Sequence, residues 1–151
     1  MRPSWDSYFA AITKLVATRS TCLRRQHGAI AVRDRHILCT GYNGSPPGTY
    51  NCDDLGRCYR QEQNIPSGQQ YEKCRANHAE QNVLLQAAKL GIPLEGATLY
   101  VTDVPCELCA KLIHGAGIHE VIILTDSGSY GITALTDFIS AGHLVRILDK
   151  E

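Results

Sequence analysis

The chain has 151 residues, 44% of them hydrophobic and 20% charged, enough for one domain around a single core and ordinary for a globular protein. Fifteen basic residues balance fifteen acidic ones, so the charge offers no basic excess for long nucleic acids and none is expected as a partner. No apolar run approaches the roughly 18 residues that span a bilayer, and the first residues lack a signal-peptide core, so no membrane partner and a cytoplasmic location are expected.

Seven cysteines is an odd and high count. In a reducing compartment it points to metal binding or a catalytic thiol rather than a disulfide framework. Over residues 3–20, Trp5, Tyr8, Phe9, Ile12, Leu15 and Val16 recur three and four apart, predicting an amphipathic helix with Pro3 in its first turn. Residues 28–32 and 36–42 read as two strands joined by the polar turn Arg33-Asp34-Arg35.

Residues 43–77 show no sustained periodicity and much punctuation, including Pro46-Pro47-Gly48, Gly56, Pro66 and Gly68. A structureless connection of that length is improbable in a compact domain, so this insertion, which holds Cys52, Cys58 and Cys74, is expected to be stapled or functional. A helix is predicted from His78 to Gly91, its buried stripe Val83, Leu84, Ala87 and Ala88. There follow a strand at 97–102, a helix from Pro105 to about Ala116, a strand at 121–125, a helix at 133–140 and a strand at 144–148. The alternation after residue 78 implies βαβ units and a mainly parallel half-sheet, to which the first hairpin adds an antiparallel pair. The expected fold is α/β, a three-layer α/β/α domain over 1–151 with a mixed, about five-stranded sheet.

The chemistry concentrates in two short stretches, His78-Ala79-Glu80 and Pro105-Cys106-Glu107-Leu108-Cys109. His78, Cys106 and Cys109 offer one imidazole nitrogen and two thiolates, a set that suits Zn2+ and leaves the fourth corner open for water of pKa about 7. At a helix start, Cys106 and Cys109 face the same side, near the positive end of the dipole. His78 and Glu80 are two apart and converge only if His78 sits in an irregular first turn. Glu80 is then placed to carry protons. Taken singly, the cysteines could be a reduced buried pair and His78 a helix cap; a structural zinc with Glu80 as fourth ligand is a further alternative.

A His-x-Glu followed by Pro-Cys-x-x-Cys is the signature of the zinc nucleobase deaminases. With Gly41-Tyr42-Asn43-Gly44-Ser45-Pro46 and Gly96-Ala97-Thr98-Leu99-Tyr100-Val101-Thr102, the chain resembles the deoxycytidylate (dCMP) deaminases of the cytidine deaminase-like superfamily along nearly its whole length. The resemblance implies hydrolytic deamination of dCMP to dUMP, supplying dUMP for thymidylate synthesis, with hydroxide attacking C4 and Glu80 shuttling protons. It implies that Ala79 and Glu80 hold the base edge and that Asn43 reaches the sugar, although an Asn-Gly turn explains Asn43 as well. Gly44, Ser45 and Arg24 are candidate substrate or effector contacts, and Arg24, Arg25, Lys73 and Arg75 are candidates for a phosphate. Related proteins often carry an aromatic residue at the end of the strand holding Ile122-Ile123-Leu124; here the nearest tyrosine is Tyr130, a candidate contact over the base.

The resemblance also implies a second, structural Zn2+ in the insertion, with Cys22, Cys52, Cys58 and Cys74 as its candidate ligands. Their 52/58 spacing is looser than a zinc knuckle, so free loop cysteines are the alternative. Cys39 reads as core. By resemblance alone, dCTP with Mg2+ and dTTP are expected as effectors of a homo-oligomer, a hexamer in the family. The rival readings are a deaminase of the same fold acting on another cytidine nucleotide, a nucleoside or tRNA adenosine, and a zinc-stabilised regulatory module without catalysis.

Overall fold

A computed structural model of the chain describes residues 1–150. Its sheet begins with a hairpin in which β1 (Gly28–Arg33) and β2 (His36–Tyr42) pair antiparallel. Asp34 and Arg35 turn the chain at φ 51° and 63°, the doubly left-handed backbone that suits a two-residue hairpin loop. β1 also pairs antiparallel with β3 (Thr98–Val101), which runs parallel to β4 (Glu120–Ile123), and β4 parallel to β5 (Leu144–Ile147). The order β2-β1-β3-β4-β5 is the mixed five-stranded sheet expected from the sequence.

Alternation along the strands sorts the side chains into two faces. Ile30, Val32, Tyr100, Ile122 and Leu124 meet Phe9 of α1 (Trp5–Ala17) on one side. Ala29, Ala31, Leu99, Val101, Val121 and Ile123 face α4 (Ala79–Leu90) and α5 (Glu107–Gly115) on the other. Two glycines let the helices sit this close. A Cβ on Gly28 would stand 2.6 Å from the Thr13 carbonyl oxygen of α1, and one on Gly41 would stand 2.6 Å from the Val83 nitrogen of α4.

Several expectations are corrected. α1 is shorter than 3–20, beginning after the Ser4 cap, and Leu15 points outward at 68% exposure. Ala88 is exposed, while Ala79 and Glu80 join Val83 and Ala87 in the buried stripe of α4. The insertion is ordered, as expected from its length: it folds into two four-residue helices, α2 (Cys52–Leu55) and α3 (Tyr59–Glu62), and a 3-10 turn at Tyr71–Lys73. The helix expected over 133–140 divides into a 3-10 turn, Ile132–Leu135, and α6 (Thr136–Ser140), which bury Leu135 and Phe138. Cys39 is core, at 2% exposure. Among the described residues no helix is long and apolar enough to cross a membrane.

Candidate active site

Two helix starts meet on one face of the sheet. His78 is the N-cap of α4 with extended backbone (φ −67°, ψ 157°), and its N–H donates to Gln81 Oε1 at 2.8 Å. Because His78 lies just outside the helix and Glu80 just inside, their two-residue spacing no longer sends them to opposite faces. Cys106 is the N-cap of α5 and Cys109 lies in its first turn; Cys106 Sγ accepts from the Cys109 N–H at 3.4 Å. Pro105 delivers the chain to this cap instead of opening the helix.

His78 Nδ1 stands 3.3 Å from Cys109 Sγ and 3.5 Å from Cys106 Sγ. Around a tetrahedral zinc, a nitrogen at about 2.0 Å and a sulfur at about 2.3 Å are about 3.5 Å apart, so the three donors already hold the spacing of a shared ion. The hydrogen bond from Cys109 holds the Cys106 thiol down to about 4, and the same bond, followed by burial, pushes Cys109 far up. Both cysteines lie at the positive N-terminal end of α5, which favours the thiolates that a cation binds. The donor set and its geometry fit zinc.

Glu80 is 6% exposed, and burial raises its carboxyl above the usual range. The charges of His78 and Cys106 act on it, so a proton carrier sits beside the ligands. His78, Glu80 and Cys106 form one wall of a cleft that Asn43, Ala79, Arg24 and Tyr130 also line. Asn43 is buried there with its amide engaged: Oδ1 accepts from the His27 N–H at 2.9 Å and Nδ2 donates to the Arg25 carbonyl at 3.0 Å. It therefore braces the loop before β1 and keeps its second Nδ2 hydrogen for the cleft.

Gly44 and Ser45 do not line this cleft. Gly44 instead exchanges backbone hydrogen bonds with Asn77, tying the strand end to the residue before His78. The Ser45 N–H donates to Asn51 Oδ1 at 3.2 Å. Lys73 and Arg75 are exposed outside the cleft. Cys22 and Cys74 line it, and Cys52 lies buried nearby. The Cys52 thiol is raised by burial first and then by Cys74, Cys22 and Cys58, so the four are neighbours. They do not form a cage here: among the described residues, the trio whose ligand atoms all lie within 4.8 Å is His78, Cys106 and Cys109.

Three further residues, not predicted as site residues, line the cleft. Tyr71 packs edge-on to His78 at 4.6 Å between centroids and faces Tyr130 at 6.2 Å. Arg60 is buried over Tyr71, and His27, its imidazole held below the ordinary range chiefly by burial, reaches Thr102 Oγ1 at 3.3 Å. Arg60 and Tyr71 lie in the aperiodic insertion, where pattern reading has nothing to use.

Comparison with known proteins places this geometry. The deoxycytidylate deaminase of Mycobacterium phage D29 is 42% identical over 83% of this chain and 98% of its own length. The Schizosaccharomyces pombe deoxycytidylate deaminase is 40% identical over 82% of this chain, and the chain spans only 38% of that relative; it spans 61% of ComE operon protein 2 of Bacillus subtilis. The dCMP deaminase of cyanophage S-TIM5, solved in complex with dCMP and dUMP, superposes with a TM-score of 0.76 at 30% identity, covering 97% of this chain and 98% of that one. Residues 3–125 match the model of the cytidine and deoxycytidylate deaminase zinc-binding region, and the chain belongs to that family.

Proposed function

We propose that the chain is a zinc-dependent hydrolase that deaminates dCMP to dUMP and releases ammonia. The observation that carries this reading is the Glu80 carboxyl, buried in a cleft directly beside the His78, Cys106 and Cys109 donors. Those three residues would hold the zinc. Bound there, zinc supplies a water acidified to a pKa of about 7. Glu80 takes one proton from the attacking water and places it on N3 of cytosine as oxygen bonds to C4. It then moves the remaining hydroxyl proton to the 4-amino group, the C4–N bond breaks, and Glu80 ends ionised as it began. Burial suits it to both roles, because a raised pKa brings the carboxyl nearer neutrality. The backbone of Ala79 and the Glu80 carboxyl hold the base edge, and Asn43 faces the sugar.

The same reading includes a second zinc on Cys22, Cys52, Cys58 and Cys74, supported by their gathering around Cys52. Family resemblance extends it to a cytoplasmic homo-oligomer, a hexamer, controlled by dCTP with Mg2+ and by dTTP, whose product feeds thymidylate synthesis. Ammonia release from cytidine, deoxycytidine, dCMP and dCTP, each with and without dCTP or dTTP as effector, tests it. Fastest turnover of dCMP is expected; equal rates on dCMP and deoxycytidine would overturn the nucleotide assignment.

A further inference from the structure

Arg60 is a charged cleft residue that neither the metal chemistry nor base recognition uses. It sits on α3, is 7% exposed, and lines the same cleft as Glu80 and Asn43. Its Nη2 donates to the Pro66 carbonyl at 3.2 Å, but its buried Nε–H has no acceptor in the protein. Among the described residues no carboxylate pairs with it within 4.0 Å. Holding a cation out of water without a counter-charge is costly, and an anion entering the cleft would supply that counter-charge.

The guanidinium lies 4.9 Å over the ring of Tyr71, and Tyr71 in turn meets the imidazole of His78 edge-on. One aromatic ring therefore separates Arg60 from the reacting centre, the scale on which a pentose separates a base from its 5′-phosphate. The contact with Tyr71 and the bond to Pro66 hold the guanidinium in place, and its fork of donors matches phosphate oxygens. Arg25 is not equivalent. It is exposed, and its two Nη groups reach Ser129 and Ser67 at 3.4 Å each, bridging the loop after β4 to the insertion.

We infer that Arg60 binds the 5′-phosphate of the substrate and thereby selects a nucleoside monophosphate over the free nucleoside. This rests on the dCMP reading above. The test is calorimetric binding of dUMP and of deoxyuridine to the zinc-loaded protein, in wild type, Arg60→Gln and Arg60→Lys. Wild type should prefer dUMP. Arg60→Gln should weaken dUMP by about 30-fold or more, the effect of removing one partner of a buried charged pair, and leave deoxyuridine unchanged. Arg60→Lys, which keeps the charge and loses the fork, should fall between.

Unchanged dUMP affinity in Arg60→Gln would overturn the inference while leaving the nucleotide reading intact. So would equal weakening of both ligands, which would make Arg60 a support of the insertion. If the Gln variant does not fold, the Lys variant decides by the same criterion: selective loss supports the role and parallel loss overturns it. Wild type binding both ligands equally would remove the nucleotide reading and this inference together.

Discussion

The two groups of cysteines in this chain differ in what holds them. Cys106 and Cys109 sit on the first turn of α5, within 3.5 Å of a histidine that caps α4, and both helices are pressed against the sheet. Cys22 lies in the loop before β1, Cys52 and Cys58 at helices of four residues in the insertion, and Cys74 after its 3-10 turn. Packing therefore holds the first group at ligand spacing, whereas the second group is close without reaching it. In the first region the fold builds the site. In the second, under the reading proposed above, the ion completes the fold, because metal binding to an unformed site is folding free energy.

The sharpest way to break this contrast is to remove a ligand from the prebuilt group. Cys109→Ala should lose one zinc per chain and all measurable turnover while the sheet persists by circular dichroism. Retained turnover would remove the metal from the mechanism. Glu80→Ala should slow turnover by about 10³- to 10⁴-fold with zinc content unchanged, since it deletes the proton carrier and leaves the ligands. Loss of zinc in that variant would instead make Glu80 a ligand. Gly41→Ala probes the packing beneath the site: a Cβ 2.6 Å from the Val83 nitrogen must push α4 off β2, so about 1–3 kcal/mol of stability and much of the turnover should go together.

For the second group, Cys52→Ala should cost the other zinc and raise proteolysis within the insertion, while the catalytic zinc stays. dCMP turnover should drop by about tenfold or less, because the insertion contributes cleft residues but no ligand of the catalytic ion. One zinc per chain in wild type, measured by metal analysis, would end the idea of a second site.

The same contrast explains what was legible in the sequence. Strands and helices long enough to show a period were readable, and so was the metal site, because each of its residues marks a helix start. The insertion was opaque. Four-residue helices fall below one full period, and Arg60 owes its burial to Tyr71 and Pro66, contacts that no local pattern predicts. The single helix expected over 133–140 is instead a 3-10 turn and a separate short helix, which bury Leu135 and Phe138. Asn43, which the resemblance places at the sugar, takes its two backbone partners, His27 and Arg25, from the loop before β1, a contact that no local pattern predicts.

The smallest effect should come from a charge cluster that resembles neither group, because the protein itself satisfies it. Arg146 on β5 donates to Asp6 at 2.8 Å and to Glu120 at 2.8 Å, and the Tyr100 hydroxyl donates to Asp6 at 2.7 Å. Arg146, the first cause, with Tyr100 assisting, holds the Asp6 carboxyl below its ordinary value against the opposing effect of burial. A depressed folded pKa means that this stabilisation is complete above the unfolded value of about 3.9 and is lost as pH falls through the folded value. Asp6→Asn keeps an acceptor for Tyr100 and removes the charge. With a third of the Asp6 side chain exposed, solvent screens the pair, so the loss should be about 0.5–1 kcal/mol near neutral pH. Urea unfolding of both proteins should show that gap constant from about pH 5 to 8 and closing below about pH 4. A gap that stayed open in acid would mean that packing around Asp6, not its charge, provides the stability. dCMP turnover in this variant should match wild type, since Asp6 lines no part of the cleft.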